Sequence, residues 1–457
     1  MIRINTRGFN HFKIELKYLC AMSKAIKNQK SILKKLSIEK LNTMQQEALL
    51  AIHSCSDIVL LSPTGTGKTL AFLLPIVAEL EPDCKEIQAL IVAPSRELAI
   101  QIEQVLREMG SSYKTAIVYG GRLFSKDKVN LKHPPAILVG TPGRISDHIR
   151  RNTFTTKEIK TLVLDEFDKS LEVGFETEMS DICTALPKLK KKILTSATQR
   201  VRVPKFVGLT KPVYVNFLKE VESQLKIKAI VSPSKDKLET LVQAIDHLGN
   251  EPGIIFCNFK NSIRRVSEHL TANNINHSCF YGGMEQKDRE RTLIKFRNGT
   301  NQLLIATDLA ARGIDIPEIK FIVHYHLPMR KEEFTHRNGR TARMNKKGSA
   351  YVLHWKDEKL PDYINNLERE KISRVLPPET TRRTTLFISG GRKDKISKGD
   401  IAGLFFKQGK LIGDELGTIE LKQDCAFVSV PEEKANKLIE QLNNSKLKKK
   451  KIRITLI

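Results

Sequence analysis

The sequence predicts an α/β protein: two tandem parallel-sheet domains followed by a small α+β domain. Three observations carry this. Short, wholly apolar runs alternate with helical stretches through the first half of the chain, as in a parallel sheet covered by crossover helices. The alternation breaks at a polar stretch, 217–226, and then resumes. From residue 382 onward the order changes to β-α-β-β-α-β.

In the first domain, strands are expected at 57–61 (DIVLL), 89–93 (ALIVA), 115–119 (TAIVY), 136–139 (AILV), 161–164 (TLVL) and 192–194 (KIL). Helices such as 70–80 and 97–109 lie between them. Each apolar run is short and rich in β-branched residues, which favours strand over helix. The second domain offers 253–256 (GIIF), 303–306 (LLIA) and 321–325 (FIVHY). In the third, 386–389 (LFIS), 416–421 and 425–430 (CAFVSV) read as strands, and 399–406 and 431–442 as helices. Residues 451–456 alternate charged and apolar side chains with period two, which predicts the last strand of an RRM-type sheet. The expected divisions are a basic N-terminal extension 1–36, a first α/β domain 37–218, a linker 219–226, a second α/β domain 227–375 and a C-terminal domain 376–457.

Composition narrows the function. Hydrophobic residues are 40% and charged residues 28%, an ordinary folded composition. No apolar run approaches the roughly 20 residues of a transmembrane helix. Lys and Arg number 77 against 51 Asp and Glu, a net charge of +26, which predicts a polyanionic partner. The 7 cysteines form no CxxC pair, so a zinc site or disulfide framework is not expected; reduced thiols suit a cytoplasmic protein. Residues 1–21 are basic and aromatic without the apolar core of a secretory signal. At Met22 the pattern changes to a basic amphipathic helix, so Met22 is the expected natural start; the native protein's intact mass tests this.

The motor chemistry begins at 62–69, SPTGTGKT, directly after the DIVLL strand and before a helix. Strand, glycine-rich turn, Lys, Thr and helix N-terminus form the P-loop context. Gly65 and Gly67 let backbone amides approach phosphates, with Ser62, Thr64 and Thr66 completing the loop. Lys68 is expected on the β/γ phosphates and Thr69 on Mg²⁺. Asp165, Glu166 and Asp168 follow the TLVL strand. Acidic residues at a strand end often only cap the next helix. Joined to a P-loop, Asp165 suits the Mg²⁺ shell and Glu166 suits a base or water-positioner. The second domain carries HRNGRTAR at 336–343. Arginines three apart share a face if the run is helical, as arginine fingers could, although a solvated basic helix reads the same way.

These motifs resemble the DEAD-box family of superfamily 2 RNA helicases. Pro94-Ser95-Arg96-Glu97-Leu98 stands where the family has PTREL. Gly120-Gly121, Thr141-Pro142-Gly143-Arg144, Ser196-Ala197-Thr198, Ile255-Phe256-Cys257-Asn258, Ala306-Thr307-Asp308 and Ala311-Arg312-Gly313-Ile314-Asp315 follow in the family's order. The resemblance implies two RecA-like domains and an RNA-dependent ATPase that uses ATP and Mg²⁺. It implies that Gln45 reads adenine, Asp315 holds the ribose, and Arg340 and Arg343 are the fingers. Ser196 and Thr198 would couple hydrolysis to RNA through Asp168. Arg96, Gly121, Thr141, Arg144 and Thr307 would grip the RNA backbone, which positions without reading sequence.

Several positions depart from the family. Phe167 replaces the eponymous Ala, giving DEFD; Asn338 and Ala342 replace Ile and Gly in the last motif. Ile38 stands where an adenine-stacking aromatic is usual, removing a contact of order 1 kcal/mol.

The tail resembles the RNA-binding domain of DbpA-type DEAD-box proteins through SKGDIAGL, the IEL and AFVSVP strands and the basic end. That likeness implies a 23S-type ribosomal RNA hairpin and a pre-50S particle as partners, and ribosome assembly as the setting. Residues 382–457 hold 17 Lys and Arg against 9 Asp and Glu. Only Phe387 and Phe427 are candidates for base stacking, and both read more readily as packing. Recognition is therefore expected to lean on Arg392, Lys393, Lys395 and Lys398, and on Lys446, Lys448, Lys449, Lys450, Lys451 and Arg453. The chain reads as a cytoplasmic monomer without a membrane partner. Two alternatives stay open: an assembly factor that uses ATP as a clamp and unwinds little, and a DNA-directed translocase.

Overall fold

The structure, a computed structural model, describes residues 29–172, 174–198, 203–218, 225–308, 319–341, 348–364, 367–373 and 382–457. The chain divides into two compact units, one formed by residues up to 62 with 67–218, the other by 63–66 with 219–457. Met22, Asp315, Ala342 and Arg343 lie outside the described residues.

The first unit is built on a seven-stranded sheet in the order β3-β4-β2-β5-β6-β1-β7. Its strands are β1 Asp57–Leu61, β2 Ala89–Val92, β3 Thr115–Val118, β4 Ile137–Gly140, β5 Thr161–Leu164, β6 Lys191–Ser196 and β7 Val213–Asn216. All pairings are parallel, with Val59 opposite Leu194 and Tyr214. Along β1, Ile58 and Leu60 enter one apolar cluster and Val59 and Leu61 the other. Both faces are thus buried, which is why the run is apolar at every position. The edge strand β7 was not expected: half its residues are exposed, so its sequence lacks the buried-strand signature. Ile32, in a helical segment at 29–35, is buried in the first cluster, so packing begins within the stretch expected as an extension.

The second unit contains a matching sheet, β10-β11-β9-β12-β13-β8-β14. Its strands are β8 Leu225–Ser232, β9 Gly253–Phe256, β10 His277–Phe280, β11 Leu303–Ala306, β12 Phe321–His324, β13 Gly348–Trp355 and β14 Glu368–Arg369. Leu225 and Lys226, expected as linker, begin β8, which pairs with β13 along its whole length. Its lysines alternate with apolar residues and made the segment read as polar.

The C-terminal domain has the expected β-α-β-β-α-β order. Strands β15 Arg383–Ile388, β16 Ile419–Leu421, β17 Ala426–Pro431 and β20 Ile454–Leu456 form an antiparallel sheet in the order β16-β17-β15-β20. Helices Lys398–Lys407 and Glu432–Leu442 join one sheet face in an apolar core. The expected strand at 451–456 is corrected. Lys446–Leu447 (β18) and Lys450–Lys451 (β19) form a separate hairpin, and only Ile454–Leu456 joins the sheet. Lys448 takes positive φ at the hairpin's two-residue turn, as such turns demand.

The opposite sheet face lies against the end of helix Gln286–Arg297 of the second α/β domain. Arg297 makes a fork to Glu420 at 2.6 and 2.9 Å. Ser429 Oγ donates to the Asn298 carbonyl at 2.7 Å, and Asn298 Nδ2 donates to Thr385 Oγ1 at 3.3 Å. Thr385 and Ser429 are fully buried there. Among the described residues no helix is long and apolar enough to cross a membrane.

Candidate functional site

Strand order decides where the chemistry gathers, because a parallel sheet presents its working loops beyond the C-terminal ends of its strands. In the first unit β5, β6 and β1 are neighbours. The ends of these strands and the loops after them carry the DEFD carboxylates, Ser196 with Thr198, and the P-loop. On the other half β3, β4 and β2 are neighbours, and the loops after them carry Gly121, Thr141 with Arg144, and Arg96.

At the P-loop, Ser62 is buried and its amide donates to the Ser196 carbonyl at 3.1 Å, joining β1's end to β6's. Gly67 caps helix Lys68–Glu79 with φ +86°. A side chain there would be strained, and its Cβ would stand 2.4 Å from Gln45 Nε2. Gln45 Nε2 donates to the Gly67 carbonyl at 3.3 Å, while Gln45 Oε1 accepts from the Asn42 amide at 3.0 Å. The amide predicted to read adenine is thus tied to the P-loop at one end and caps helix Thr43–Ser54 at the other. Lys68 is buried, with Nζ donating to the Ser62 carbonyl at 2.5 Å. Thr69 is half-buried on the helix's first turn. Gly65 has φ +83°, and Thr66 Oγ1 donates to the Pro63 carbonyl at 2.9 Å. Ile38 packs, half-buried, against the first apolar cluster.

Asp165 is buried and accepts from the Thr195 hydroxyl, which itself accepts from the Glu166 amide at 3.0 Å. Burial first, then the Glu166 charge, push the Asp165 carboxyl up to about 6, against the lowering pull of Thr195 and Lys68. Glu166 adopts φ +45°, a strained value for a residue with a Cβ, at the turn that separates the two carboxylates. Thr198 Oγ1 donates to Asp168 at 3.2 Å, and Ser196 Oγ accepts from the Thr198 amide at 2.9 Å. The three residues predicted to couple therefore form one hydrogen-bonded set. Thr195, the relay between Asp165 and Glu166, was not singled out from the sequence. Phe167 is buried in the second apolar cluster.

On the other half of the edge, Arg96 opens helix Arg96–Met109 behind the Ser95 cap. Its guanidinium lies over Gly121 (φ +84°), where a Cβ would stand 2.6 Å from Arg96 Nη1. Thr141 caps helix Pro142–Arg150, and Arg144 Nη2 donates to the Arg122 carbonyl at 2.5 Å.

In the second unit, the condition that would align the arginines of 336–343, one continuous helix, is not met among the described residues. Helix Lys331–Asn338 ends at its Gly339 cap, and Thr341 bridges to Ile319. Arg337 and Arg340 therefore share no helix face. Arg337 is fully buried and forks onto Asp308 at 2.6 and 2.5 Å; it also donates to Asn258 Oδ1 at 2.8 Å and the His326 carbonyl at 2.5 Å. It locks three motifs together, a role its position in an arginine-rich run concealed. Arg340 is nearly buried in the turn that follows. Thr307 follows β11, with its amide donating to the Phe280 carbonyl at 3.3 Å.

The unusual Asn338 has a partner: its Oδ1 meets buried His324 Nε2 at 2.9 Å. Burial and the Arg337 charge push the His324 ring down to about 3. The unfolded chain, with histidine near 6.5, then binds more protons than the folded one. His324 should contribute its stability above about pH 6.5 and lose about 2 kcal/mol of it by about pH 5. Urea midpoints across this range check this, and His324→Gln should flatten the slope.

In the C-terminal domain several of the basic residues are ion-paired. Lys450 Nζ reaches Asp394 at 2.8 Å, beside Arg392 and Lys393, and Lys448 reaches Asp400 at 2.9 Å. These pairs are partly exposed, so each is worth little, and Lys and Arg still outnumber the two aspartates along this ridge. Lys449 sits in the hairpin turn beside Lys448. Phe387 and Phe427 face each other across β15 and β17, centroids 5.7 Å apart. They lie on the sheet face away from the domain core; Phe427 is buried and Phe387 half-buried.

Comparison with known proteins gives family matches over three stretches of the chain. Residues 42–206 match the DEAD/DEAH box helicase profile, 236–345 the helicase conserved C-terminal domain, and 385–456 the DbpA RNA binding domain. The ATP-dependent RNA helicase DbpA of Escherichia coli (strain K12) is 31% identical over 432 residues, covering 91% of this chain and 94% of that protein. DbpA of Bacillus subtilis (strain 168) is 29% identical over 453 residues, covering 90% and 93%. Among solved structures, S. cerevisiae Dbp5 bound to RNA and ADP BeF3 superposes with TM-score 0.64 at 28% identity, covering 72% of this chain and 88% of that one. Mss116p bound to ssRNA and AMP-PNP gives 0.67 at 26%, covering 77% and 76%.

Proposed function

The chain belongs to the DEAD-box family as an ATP-dependent RNA helicase of the DbpA type, and from that premise we propose that it remodels large-subunit ribosomal RNA during ribosome assembly. The observation that carries the ribosomal reading is the C-terminal domain, whose family match coincides with a basic ridge of Arg392, Lys393 and Lys448–Lys450. A motor that grips only sugar and phosphate needs such an address.

Within the first unit, Lys68 neutralises the β/γ phosphates and Gln45 reads the adenine edge after releasing its cap or P-loop bond. Thr69 and Asp165 would hold Mg²⁺. A buried carboxyl pushed up to about 6 beside Glu166 has the chemistry a divalent cation relieves. Bound there, the cation supplies charge neutralisation at the phosphates. Glu166 orients the attacking water. Asp168, Thr198 and Ser196 link this centre to Arg96, Gly121, Thr141 and Arg144, which grip RNA. In the second unit Thr307 grips RNA, Arg340 and Arg343 serve as fingers, and Asp315 holds the ribose. RNA must tighten ATP as much as ATP tightens RNA, since coupling is reciprocal.

Steady-state ATPase activity with no nucleic acid, a generic RNA, and a large-subunit rRNA fragment carrying the DbpA-type hairpin tests this. Strong stimulation by the fragment alone is expected. Equal stimulation by both RNAs would remove the ribosomal assignment and leave the tail as an anchor. Stimulation without strand separation would favour an ATP-driven clamp. If the tail neutralises about six phosphates, fragment affinity should fall roughly a thousandfold between about 50 and 200 mM salt.

A further inference from the structure

We propose that Arg122 is a second phosphate-gripping arginine beside Arg144, and that the buried Asp127 positions the pair. This rests on the RNA reading of the β3-β4-β2 edge. Asp127, in helix Phe124–Leu131, is fully buried, and neither of its carboxylate oxygens takes a hydrogen bond. A buried carboxylate without hydrogen bonds is costly unless opposite charge surrounds it.

Two arginines and a histidine face it. Arg122 Nε stands at 3.5 Å, Arg144 Nη1 at 3.7 Å and His148 Nε2 at 3.6 Å. At these separations the attraction is coulombic, so it steers the guanidinium groups without consuming their N–H donors. Arg144 spends one donor on the Arg122 carbonyl, which ties the two residues together. The Phe124 ring forms the floor. It stacks on His148 at 4.3 Å and lies under the Arg144 guanidinium at 5.6 Å.

An ion pair serving only the core would close into short hydrogen bonds and exclude water. Here the Arg122 side chain keeps 31% of its surface and Arg144 keeps 11%. One negative charge against two guanidiniums leaves positive charge and planar donor forks, which match a phosphodiester. Arg122 also follows Gly121 directly, and Gly121 lies under Arg96. Arginines 96, 122 and 144 thus line one edge, fit for successive phosphates of one strand.

The test is equilibrium binding of the full chain to a fluorescein-labelled oligouridylate with AMP-PNP, read by anisotropy across a salt series. Arg122→Ala should weaken binding roughly tenfold. It should also reduce the slope of log K against log salt by about 0.7, one phosphate contact on a single strand. Arg122→Lys should keep the slope and lose only part of the affinity. Asp127→Asn should weaken binding too, and Arg122→Ala should then cost clearly less than in the wild type. Wild-type binding with an unchanged affinity and slope in Arg122→Ala would overturn the proposal. Additive effects of Asp127→Asn and Arg122→Ala would overturn the positioning role. Wild-type protein that binds no RNA would instead refute the RNA reading on which both rest. If Asp127→Asn melts below the assay temperature, the two Arg122 variants decide.

Discussion

Phe167→Ala should destabilise the first domain by about 3–5 kcal/mol, a large effect for one side chain. The substitution restores the residue that gives the DEAD motif its name, so family resemblance alone predicts a neutral or favourable change. Packing predicts the opposite. Phe167 is 1% exposed and lies in the cluster that holds Leu162, Leu164, Met179, Ile182 and Val207. That space is shaped around a ring. Truncation to a methyl group would leave a cavity between β5 and the helices that follow, because cores relax only partly. The flanking Asp165 and Asp168 would lose their support, so ATPase activity should fall with the urea midpoint. Phe167→Leu, which refills most of the volume, should lose much less. A loss below about 1 kcal/mol for Phe167→Ala would show that the ring does not fill the core.

Phe167 also marks where the sequence stops being legible. Motif order reveals the P-loop, the acidic pair and the two parallel sheets, because nucleotide chemistry demands those residue types at strand ends and buried strands must be apolar. It cannot say what a non-motif side chain packs against. The same limit hid Arg337, which sits among basic residues yet is a buried clamp on Asp308 and Asn258. It hid Asp127, an acidic residue in a polar helix that reads as solvated but is fully buried. Strands β7 and β8 escaped because edge exposure and alternating lysines give a polar-looking string. The basic hairpin escaped for a related reason. The alternation over 451–456 is real, but the hairpin closed at Lys448 and Lys449 takes Lys451, so only Ile454–Leu456 pairs in the sheet.

Asp165→Asn should abolish hydrolysis and at the same time stabilise the nucleotide-free protein. Burial and Glu166 push the folded carboxyl up to about 6, against 3.8 as its ordinary value. The folded state therefore holds a proton that the unfolded state has released between those two values. Stability falls as pH rises through this window and stays lower above it. At pH 7 the ionised Asp165 costs about 3 kcal/mol, an order-of-magnitude figure from its displacement of about two pH units. Asparagine removes the charge but keeps an oxygen to accept from Thr195, so the Thr195–Glu166 link survives. Measured in EDTA without nucleotide, the variant should melt above the wild type at pH 7 and converge with it toward pH 4. Equal melting at both values would mean that the carboxylate is already compensated by Lys68 and solvent. The opposite pH trend would mean that it is held by a salt bridge. Either result would remove the idea that this carboxylate is kept at a cost to folding until a cation and ATP take up its charge, a stability–function trade in which the residue most damaging to the empty protein is the one its chemistry requires.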